Sequence, residues 1–368
     1  MSYRELFHAI MNYEDFDRMP VIHWAEWPET RKRWLQEGLP PDCQIHEFFD
    51  AVPFWITLIN DDSWLSIGSI KDTINLGLFP VFEEEVLEET EEYRIYQGGD
   101  GVICKEWKHQ SGIPHYIAFT LKDAKSWDEY KKRLQPDPAR ISGNLDDRLK
   151  KMEASGLPIC FPAASLMGWI RNWMGVENMS YLMYDDRDVY ADMVMTISDL
   201  VCWGMDQILS KLKVDLAHSW EDISGRSGPL VSPKIFDECV APGYRKIRNK
   251  LEEYGVNFYS IDSDGDITDL VGHWLNAGVN IMFPLEVGPF GGDALKLRKK
   301  YGKELRLMGN FDKLTLEKGR GAVEAEINRL MPLMKDGGYI IMPDHHITPG
   351  VSLEDYQWYL NQIRGLRF

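Results

Sequence analysis

The sequence contains no closely spaced pair of cysteines. Its five cysteines are scattered and never form a CxxC motif: Cys43, Cys104, Cys160, Cys202 and Cys239. This pattern is typical of reduced intracellular thiols, and it excludes a zinc cluster made of cysteines with local spacing. No apolar run approaches the length of a membrane span, and residues 1–20 lack the uninterrupted apolar core of a signal peptide. We therefore expect a cytoplasmic protein with no membrane partner.

Positive charge is also scarce. The chain has 41 Lys and Arg against 58 Asp and Glu, a formal net charge of −17, and no basic stripe offsets it. This balance argues against a nucleic-acid partner and leaves a small molecule as the expected ligand. The length of 368 residues and the 44% share of hydrophobic residues suit a folded chain with a large core. We expect residues 1–368 to form one domain, and a homodimer is left open.

Short apolar runs alternate with longer amphipathic stretches from about residue 157 onward. Six such runs predict strands, at 157–164, 214–222, 256–262, 279–286, 305–312 and 338–345. Nearly continuous apolar strands alternating with helices indicate a parallel sheet covered by helices. Two earlier candidates, 18–24 and 52–59, bring the number of units to eight, which predicts an α/β fold of the (β/α)8 TIM-barrel type. A doubly wound open sheet is the alternative, although no GxGxxG motif follows any of these strands.

The N-terminal third interrupts this alternation between about residues 79 and 135. Two β-prone runs flank the letters GGDG at 98–101, which predicts a hairpin. A further segment, GIPHYIAFTLKD at 112–123, adds another strand candidate. We expect an antiparallel β insertion, or a lid, within the same domain.

Polar residues collect where the predicted strands end. The carboxyl ends of barrel strands build the active site, so residues at these ends should face one another. The candidates are Glu221, Asp222, Asp262, Asp264, Glu286, Asn310, Asp312, Asp344, His345 and His346, with His23 and Trp24 from the first predicted strand. Capping explains Asp266 and Asp312 more simply, and Asp344 suits a turn. Convergence of acids and histidines from several strands nevertheless favours a functional cluster.

Three aspartates alternate in the segment NFYSIDSDGDI at 257–267. Crowded carboxylates repel one another, so a cation, a proton or a hydrogen-bond network must compensate for them. A calcium loop of the EF-hand type is excluded, because the glycine comes fourth and the twelfth position is His273. Carboxylate oxygens with one imidazole suit zinc, manganese or iron. Hydrogen bonds to a substrate without any metal are the alternative.

Three segments resemble the uroporphyrinogen decarboxylase superfamily. Residues 308–360, from MGNFDK to PDHHITPGVSLEDY, are similar to its C-terminal third, in which a G-N-x-D-K segment precedes a strand ending near P-D-H-x-x-P. Residues 4–21 resemble its opening helix and D-R-x-P-V sequence, and residues 228–247 resemble its middle helix. The resemblance implies a (β/α)8 barrel, in agreement with the alternation of strands and helices.

The superfamily contains two chemistries. Its decarboxylases act on a tetrapyrrole without a cofactor and carry an R-Q-A-G-R segment that binds substrate carboxylates. The matching stretch here, residues 21–34, lacks that segment, and Arg31 and Arg33 suit a solvated helix face better. Its corrinoid-dependent methyltransferases bind zinc through an H-x-C pair and a later cysteine. Those positions fall on Asp262, Asp264 and His345, so oxygen and nitrogen ligands replace every sulfur.

The resemblance therefore implies a methyltransferase with a harder metal site. Such a site suits an oxygen leaving group, which makes a small methoxylated compound, such as an aryl methyl ether, the expected methyl donor. The chain has no cobalamin-binding D-x-H-x-x-G segment, so cobalamin is expected on a separate corrinoid protein. Tetrapyrrole decarboxylation and a non-catalytic ligand-binding barrel are the alternatives.

Each candidate residue has an expected role in this reading. Asp262, Asp264 and His345 would hold zinc, another divalent metal or the substrate, and Glu221 would be a fourth ligand or a general acid or base. The expected catalytic residues are Glu221, Asp264 and His345. Substrate contacts are expected from His23, Trp24, Asp222, Glu286, Asn310 and His346. Trp24, Trp27 and Trp55 suit an aromatic pocket, although core packing explains most such residues equally well.

Overall fold

A computed structural model describes residues 1–53, 56–57, 74–109, 114–288 and 291–368, with no side-chain description for 56 and 57. The strands are β1 Ile56–Thr57, β2 Glu85–Glu89, β3 Tyr93–Gln97, β4 Ile103–Trp107, β5 His115–Ala118, β6 Ile159–Pro162, β7 Leu216–Trp220, β8 Ser224–Gly225, β9 Gly228–Pro229, β10 Phe258–Asp262, β11 Ile281–Phe283, β12 Arg306–Phe311 and β13 Tyr339–Pro343. The α-helices are α1 Tyr3–Met11, α2 Pro28–Gln36, α3 Ile45–Phe49, α4 Ala124–Lys132, α5 Leu145–Ala154, α6 Gly168–Met174, α7 Val176–Asp185, α8 Arg187–Leu209, α9 Pro233–Ile235, α10 Ala241–Glu253, α11 Val271–Asn276, α12 Ala294–Tyr301, α13 Arg320–Asp336 and α14 Leu353–Gly365. None of these described helices is long and apolar enough to cross a membrane.

The main sheet is parallel and has the strand order β1-β6-β7-β10-β11-β12-β13. Six of its strands are those predicted from the apolar runs after residue 157. Every residue of β6, β10, β11 and β13 is buried, which explains why these runs are continuously apolar instead of alternating. The fold is therefore a mixed α/β fold built on a helix-covered parallel sheet.

The two edges of this sheet approach one short segment near the N-terminus. Ile22 forms a parallel bridge with Val52, and Glu26 forms a parallel bridge with Ile347. The predicted strand at 18–24 is thus represented by isolated bridges. Of the predicted strand at 52–59, the structure shows the Val52 bridge and β1, and its other residues beyond position 53 lie outside the described part.

The region predicted to be antiparallel contains a second sheet, with the order β2-β3-β4-β5. All three of its strand pairs are antiparallel, and the β3–β4 turn lies at the predicted GGDG letters. At its far end, Thr120 and Tyr130 share a hydrogen bond of 2.7 Å, and the Tyr130 ring lies 5.6 Å from that of Trp173 on α6. The segment after β5 is therefore joined to α4 and, through Tyr130, packs against α6.

Helix α1 packs at the amino ends of the parallel strands. The ring of Phe7 lies 5.7 Å from that of Phe258 in an edge-to-face arrangement, and the Arg306 Nε donates to the Met11 carbonyl at 2.7 Å. Ser2 caps this helix together with Glu5 in a capping box. Helix α1 therefore covers the amino ends of the strands, opposite the carboxyl ends at which the predicted site residues lie.

Candidate active site

Three aspartates meet where β7 and β10 end. Asp222, Asp262 and Asp264 each offer a carboxylate oxygen, and these oxygens all lie within 4.8 Å of one another. The strand register explains the meeting, because Asp262 is the direct partner of Trp220 and Asp222 follows two residues later. We call these three residues the acid cluster. The sequence analysis placed Asp262 and Asp264 together as ligands, and the structure adds Asp222 to them.

The loops that carry the acid cluster are tied to each other. The backbone N–H of Asp264 donates to the Asp222 carboxylate at 3.1 Å, and Asp222 itself has a φ of 49°. Gly265 has a φ of 87°, and a Cβ there would lie 2.3 Å from the Ser224 carbonyl oxygen. The Gly265 N–H donates to Glu286 at 2.9 Å. Only glycine fits this position, so the sequence DSDG fixes where Asp264 stands.

Burial leaves the acid cluster short of compensating charge. Desolvation, together with the charge of Asp264, raises the pKa of Asp222 to about 6. Desolvation and the charges of Asp222, Asp264 and Glu286 raise the pKa of Asp262 well above its ordinary value. Desolvation also raises the pKa of Glu286, although Lys313 lies 3.5 Å from its carboxylate and opposes the rise. The cluster is therefore prepared to hold a proton or a cation.

His345 lies beside the acid cluster at the end of β13. Its Nε2 is 3.5 Å from the Asp264 carboxylate. The ring stacks on Trp27 with centroids 5.9 Å apart and lies 5.6 Å from Trp24. Trp24 in turn lies 4.9 Å from Phe283 on β11. The predicted meeting of Asp264, His345 and Trp24 is thus present, with Trp27 completing an aromatic wall, whereas Trp55 lies outside the described residues.

The structure places the Glu221 carboxylate outside the acid cluster. It is fully buried and accepts hydrogen bonds at 2.8 Å from the N–H groups of Leu166, Met167 and Gly168 at the start of α6. It also accepts from the hydroxyls of Ser165, at 2.9 Å, and Tyr244. Five donors satisfy both oxygens, so this carboxylate anchors the start of α6, and these contacts favour that role over the predicted one of metal ligand or general acid or base.

Two other predicted residues are engaged within the protein. The Asn310 amide is fully buried and donates to the carbonyls of Leu285 and Gly292, both at 3.1 Å. His23 is buried between the Tyr356 hydroxyl at 2.8 Å and the Glu26 carboxylate at 2.9 Å. Asn310 thus holds the loop after β11, and His23 joins the segment 18–24 to α14. These internal contacts favour structural roles for both residues over the predicted substrate contacts.

His346 is nearer to the cluster but largely enclosed. It is 2% exposed, and its ring lies 4.8 Å from that of His345. Burial and the neighbouring His345 lower its pKa to about 3, so the ring is neutral at physiological pH. Glu286 supports the Gly265 N–H, as described above. Both residues border the site, and Glu286 holds the loop of Gly265 in place.

Turn residues behave largely as their sequence context suggested. Asp312 caps the turn Lys313–Glu317 by accepting from the Leu314 N–H at 2.9 Å. Asp266 accepts from the Thr268 N–H at 3.0 Å, ahead of α11. Asp344 accepts from the N–H groups of Val287 and Lys313 at 2.9 and 3.1 Å and so joins two strand-end loops.

Sequence reasoning did not single out three residues near the cluster. Arg171 on α6 donates to the Asp222 carbonyl, and its guanidinium carbon lies 5.3 Å from the Trp220 ring centre. His218 lies one pleat below Trp220 on β7, and burial lowers its pKa to about 3. Alternation in DLAHSW (215–220), which puts His218 and Trp220 on one strand face, was the available signal. For Arg171 there was none, because its nearness depends on how α6 returns to the strand ends.

The donor set fits a divalent cation. Asp222, Asp262 and Asp264 bring together carboxylate oxygens whose charge the surrounding protein leaves largely uncompensated, and His345 adds an imidazole nitrogen beside them. Oxygen ligands with one nitrogen suit zinc, manganese or iron. A cation bound by this set would replace the protons that burial now favours.

Comparison with known proteins defines the family. A sequence model described as uroporphyrinogen decarboxylase (URO-D) matches residues 163–366. Among solved structures, a methyltransferase from Methanosarcina mazei matches with a TM-score of 0.61 at 14% identity, over 99% of this chain and 98% of that one. At this identity the likeness shows the fold alone, and a search of curated proteins gives no match. Because the family match covers more than half of the 368 residues, the chain belongs to the uroporphyrinogen decarboxylase (URO-D) family.

Proposed function

We propose that this protein is a methyltransferase that moves a methyl group from a small methoxylated substrate, such as an aryl methyl ether, to the cobalamin of a separate corrinoid protein. The observation that carries the proposal is the acid cluster, with His345 3.5 Å from Asp264 and the Trp24 and Trp27 rings beside it. Acids and an aromatic wall together suit an oxygen-linked methyl group on a planar compound.

The acid cluster meets the needs of an oxygen leaving group. When the bond between methyl and oxygen breaks, the oxygen keeps the electron pair and must gain a proton or a positive neighbour. Asp222, with its pKa near 6, holds a proton more readily than an exposed aspartate does. The Asp264 side chain is 36% exposed, whereas Asp262 is buried, so Asp264 is the more open of these two to a ligand.

A metal ion at this site would be held by Asp222, Asp262 and Asp264, with His345 as the nitrogen ligand. Such an ion would act as a Lewis acid on the methoxy oxygen. Trp24 and Trp27 would orient the substrate ring, and their bulk would limit access of water to the reacting oxygen. This ligand set replaces Glu221, whose oxygens are already saturated, by Asp222.

The fold around the site supports two further parts of the proposal. The bridges of Ile22 with Val52 and of Glu26 with Ile347 favour closure of the parallel sheet into a (β/α)8 barrel, with residues 21–27 between its two edges. The sheet β2–β5 would then be an insertion in this single domain, close to the mouth through its contact with α6. Closure would place the acid cluster inside one mouth, open to a corrinoid partner.

Methyl transfer to cob(I)alamin tests the proposal. The purified protein is incubated with free cob(I)alamin and a panel of methoxylated aromatics, and formation of methylcobalamin is followed by absorbance together with the demethylated product. We expect Asp264→Asn to lower the rate at least about 100-fold, because it removes a ligand of the proposed cation, whose positive charge would act on the reacting oxygen. The matched control, Asp266→Asn, keeps its cap on Thr268 and should retain the rate within about twofold.

The rival chemistry has its own readout. The same preparation is incubated with uroporphyrinogen, and coproporphyrinogen is sought among the products. Robust decarboxylation, or methyl transfer that Asp264→Asn leaves unchanged, would overturn the proposal. Binding of methoxylated aromatics without any turnover of either kind would favour a non-catalytic barrel instead.

A further inference from the structure

Arg171 is held at the edge of the acid cluster by contacts with neutral groups. One Nη1 hydrogen goes to the backbone carbonyl of Asp222. The Nε and Nη2 atoms donate to the Asn172 side-chain oxygen at 3.3 and 3.2 Å. The guanidinium also lies over the Trp220 ring, with 5.3 Å between its carbon and the ring centre. These contacts fix its plane without neutralising it.

The positive charge of Arg171 has no ionic partner in the described part of the chain. No Asp or Glu oxygen there lies within 4.0 Å of its nitrogens, whereas Arg31 and Arg329 have carboxylates at 2.8 and 2.7 Å. A guanidinium has five N–H donors, and the contacts above use three of them. The charge of Arg171 acts on the Asp222 carboxyl without forming an ion pair, and two of its donors are available to a ligand at low cost in side-chain entropy because the residue is partly buried.

We infer that Arg171 binds a carboxylate of the substrate, so that the substrate class is a methoxylated aromatic acid. This inference rests on the proposed function, because it assigns the other end of the same substrate. A planar guanidinium pairs with a carboxylate through two parallel hydrogen bonds. The ring of Trp220 lies against the guanidinium and holds its plane in place for that pair.

The size of the substrate follows from the position of Arg171. Its guanidinium touches the backbone of Asp222, whose side chain belongs to the acid cluster. A ligand that reaches both must be compact, with its acid and methoxy groups on the same small ring system. Phe119, which follows β5, packs against Gly175 at the end of α6, where a Cβ would lie 2.5 Å from the Phe119 ring. The second sheet thus bounds this side of the mouth.

The charge balance favours one carboxylate. Arg171 compensates a single negative charge, and a second anionic group on the ligand would face the carboxylates of Asp222 and Asp264. The other nearby cation, Lys313, already lies 3.5 Å from Glu286 and 3.7 Å from Asp344. A monocarboxylate therefore fits better than a polycarboxylate.

Binding measurements without any methyl acceptor test this inference. Isothermal titration compares 4-methoxybenzoate with its neutral analogue 4-methoxybenzamide in the wild type, Arg171→Gln and Arg171→Lys. Arg226, which is exposed, provides the matched control Arg226→Gln. We expect Arg171→Gln to weaken binding of the acid about 10- to 100-fold and binding of the amide less than about threefold, since only the acid forms a charged hydrogen-bonded pair with the guanidinium. The affinity of Arg171→Lys for the acid should lie between those of the wild type and Arg171→Gln, because lysine keeps the charge but lacks the two parallel N–H donors of the guanidinium.

The outcomes separate this inference from the proposed function. If the acid binds in a way that depends on Arg171 but no methyl transfer occurs, the subsite is supported and the proposed methyl-transfer reaction is refuted. Three results would each overturn the subsite. They are an equal loss of affinity for the acid and the amide, no effect of either substitution at Arg171, and a wild type that does not bind the acid more tightly than the amide. If Arg171→Gln does not fold, Arg171→Lys and the wild-type preference for the acid decide the matter.

Discussion

Replacing Asp222 with asparagine is expected to stabilise the metal-free protein above neutral pH. Burial and the charge of Asp264 raise the pKa of Asp222 from 3.8 to about 6. A rise of about two in the pKa corresponds to about 3 kcal/mol, at about 1.4 kcal/mol per unit. Asparagine carries no charge, and its side-chain oxygen still accepts from the Asp264 N–H now at 3.1 Å. The expected gain in the free energy of unfolding at pH 8 is therefore about 2–3 kcal/mol.

The sign of the pH dependence follows from proton linkage. The folded protein keeps the Asp222 proton up to about pH 6, whereas the unfolded chain releases it near 3.8. Between these values the folded state binds more protons, so the stability of the wild type falls as the pH rises through this window and levels off above it. At pH 4.5 the advantage of Asp222→Asn should shrink to about 1 kcal/mol. Asp262, Asp264, Arg171 and His345 surround the group and are unchanged in the variant.

Urea unfolding in EDTA at pH 4.5 and pH 8 measures this effect. Asp269→Asn, at an exposed position, is the control and should change stability by less than about 0.5 kcal/mol at both values. A divalent cation added at pH 8 should stabilise the wild type and remove the advantage of the variant, since the carboxylate is then a ligand. An Asp222→Asn variant that is destabilised at pH 8, or equally stabilised at both pH values, would refute the argument from uncompensated charge.

Three further substitutions probe the framework around the site. Glu221→Ala should lower the free energy of unfolding, measured by urea titration, by more than about 3 kcal/mol, because it leaves five buried donors without an acceptor. The control Glu324→Gln, on an exposed helix face, should cost less than about 0.5 kcal/mol, and equal costs would contradict an anchoring role. Gly265→Ala should lower the methyl-transfer rate at least about 10-fold, because its Cβ would lie 2.3 Å from the Ser224 carbonyl oxygen and displace Asp264. The control Gly255→Ala has a similar positive φ but open space around its Cβ and should only lower the melting temperature, and a fully active Gly265→Ala variant would contradict the role of Gly265 in placing Asp264. Lys313→Met should cost about 1–3 kcal/mol at pH 8 by urea titration, because it leaves Glu286 and Asp344 without their nearest cation, and a neutral effect would show that these acids are compensated elsewhere.

The main sheet was predictable because its strands are buried on both faces. Runs such as IMFPL and YIIMP are apolar throughout and alternate with amphipathic helices, and this pattern has few solutions. The first segment was harder, since residues 18–24 make only isolated bridges. The antiparallel sheet followed from one turn signal, and its register needed the structure, because a bulge interrupts the β2–β3 pairing.

The residues of the candidate site were predictable only where they directly follow a predicted strand in the sequence. Asp262, Asp264 and His345 follow directly from that rule, and they lie together. Glu221 follows the same rule, but its buried carboxylate turns to backbone donors about 55 positions earlier in the chain, which no local pattern reveals. Arg171 reaches the cluster from α6 by a contact with a backbone carbonyl, and such contacts leave no mark in the sequence.

Cation binding to the metal-free protein tests the shared site most directly. Isothermal titration with Zn²⁺ and Mn²⁺ is carried out on the wild type, Asp264→Asn, His345→Ala and the control Asp266→Asn. We predict one cation per chain in the wild type and the control, with affinity at least about 10-fold weaker in the other two variants. No stoichiometric cation in the wild type, or equal affinity in all four proteins, would contradict a common site formed by the acid cluster and His345.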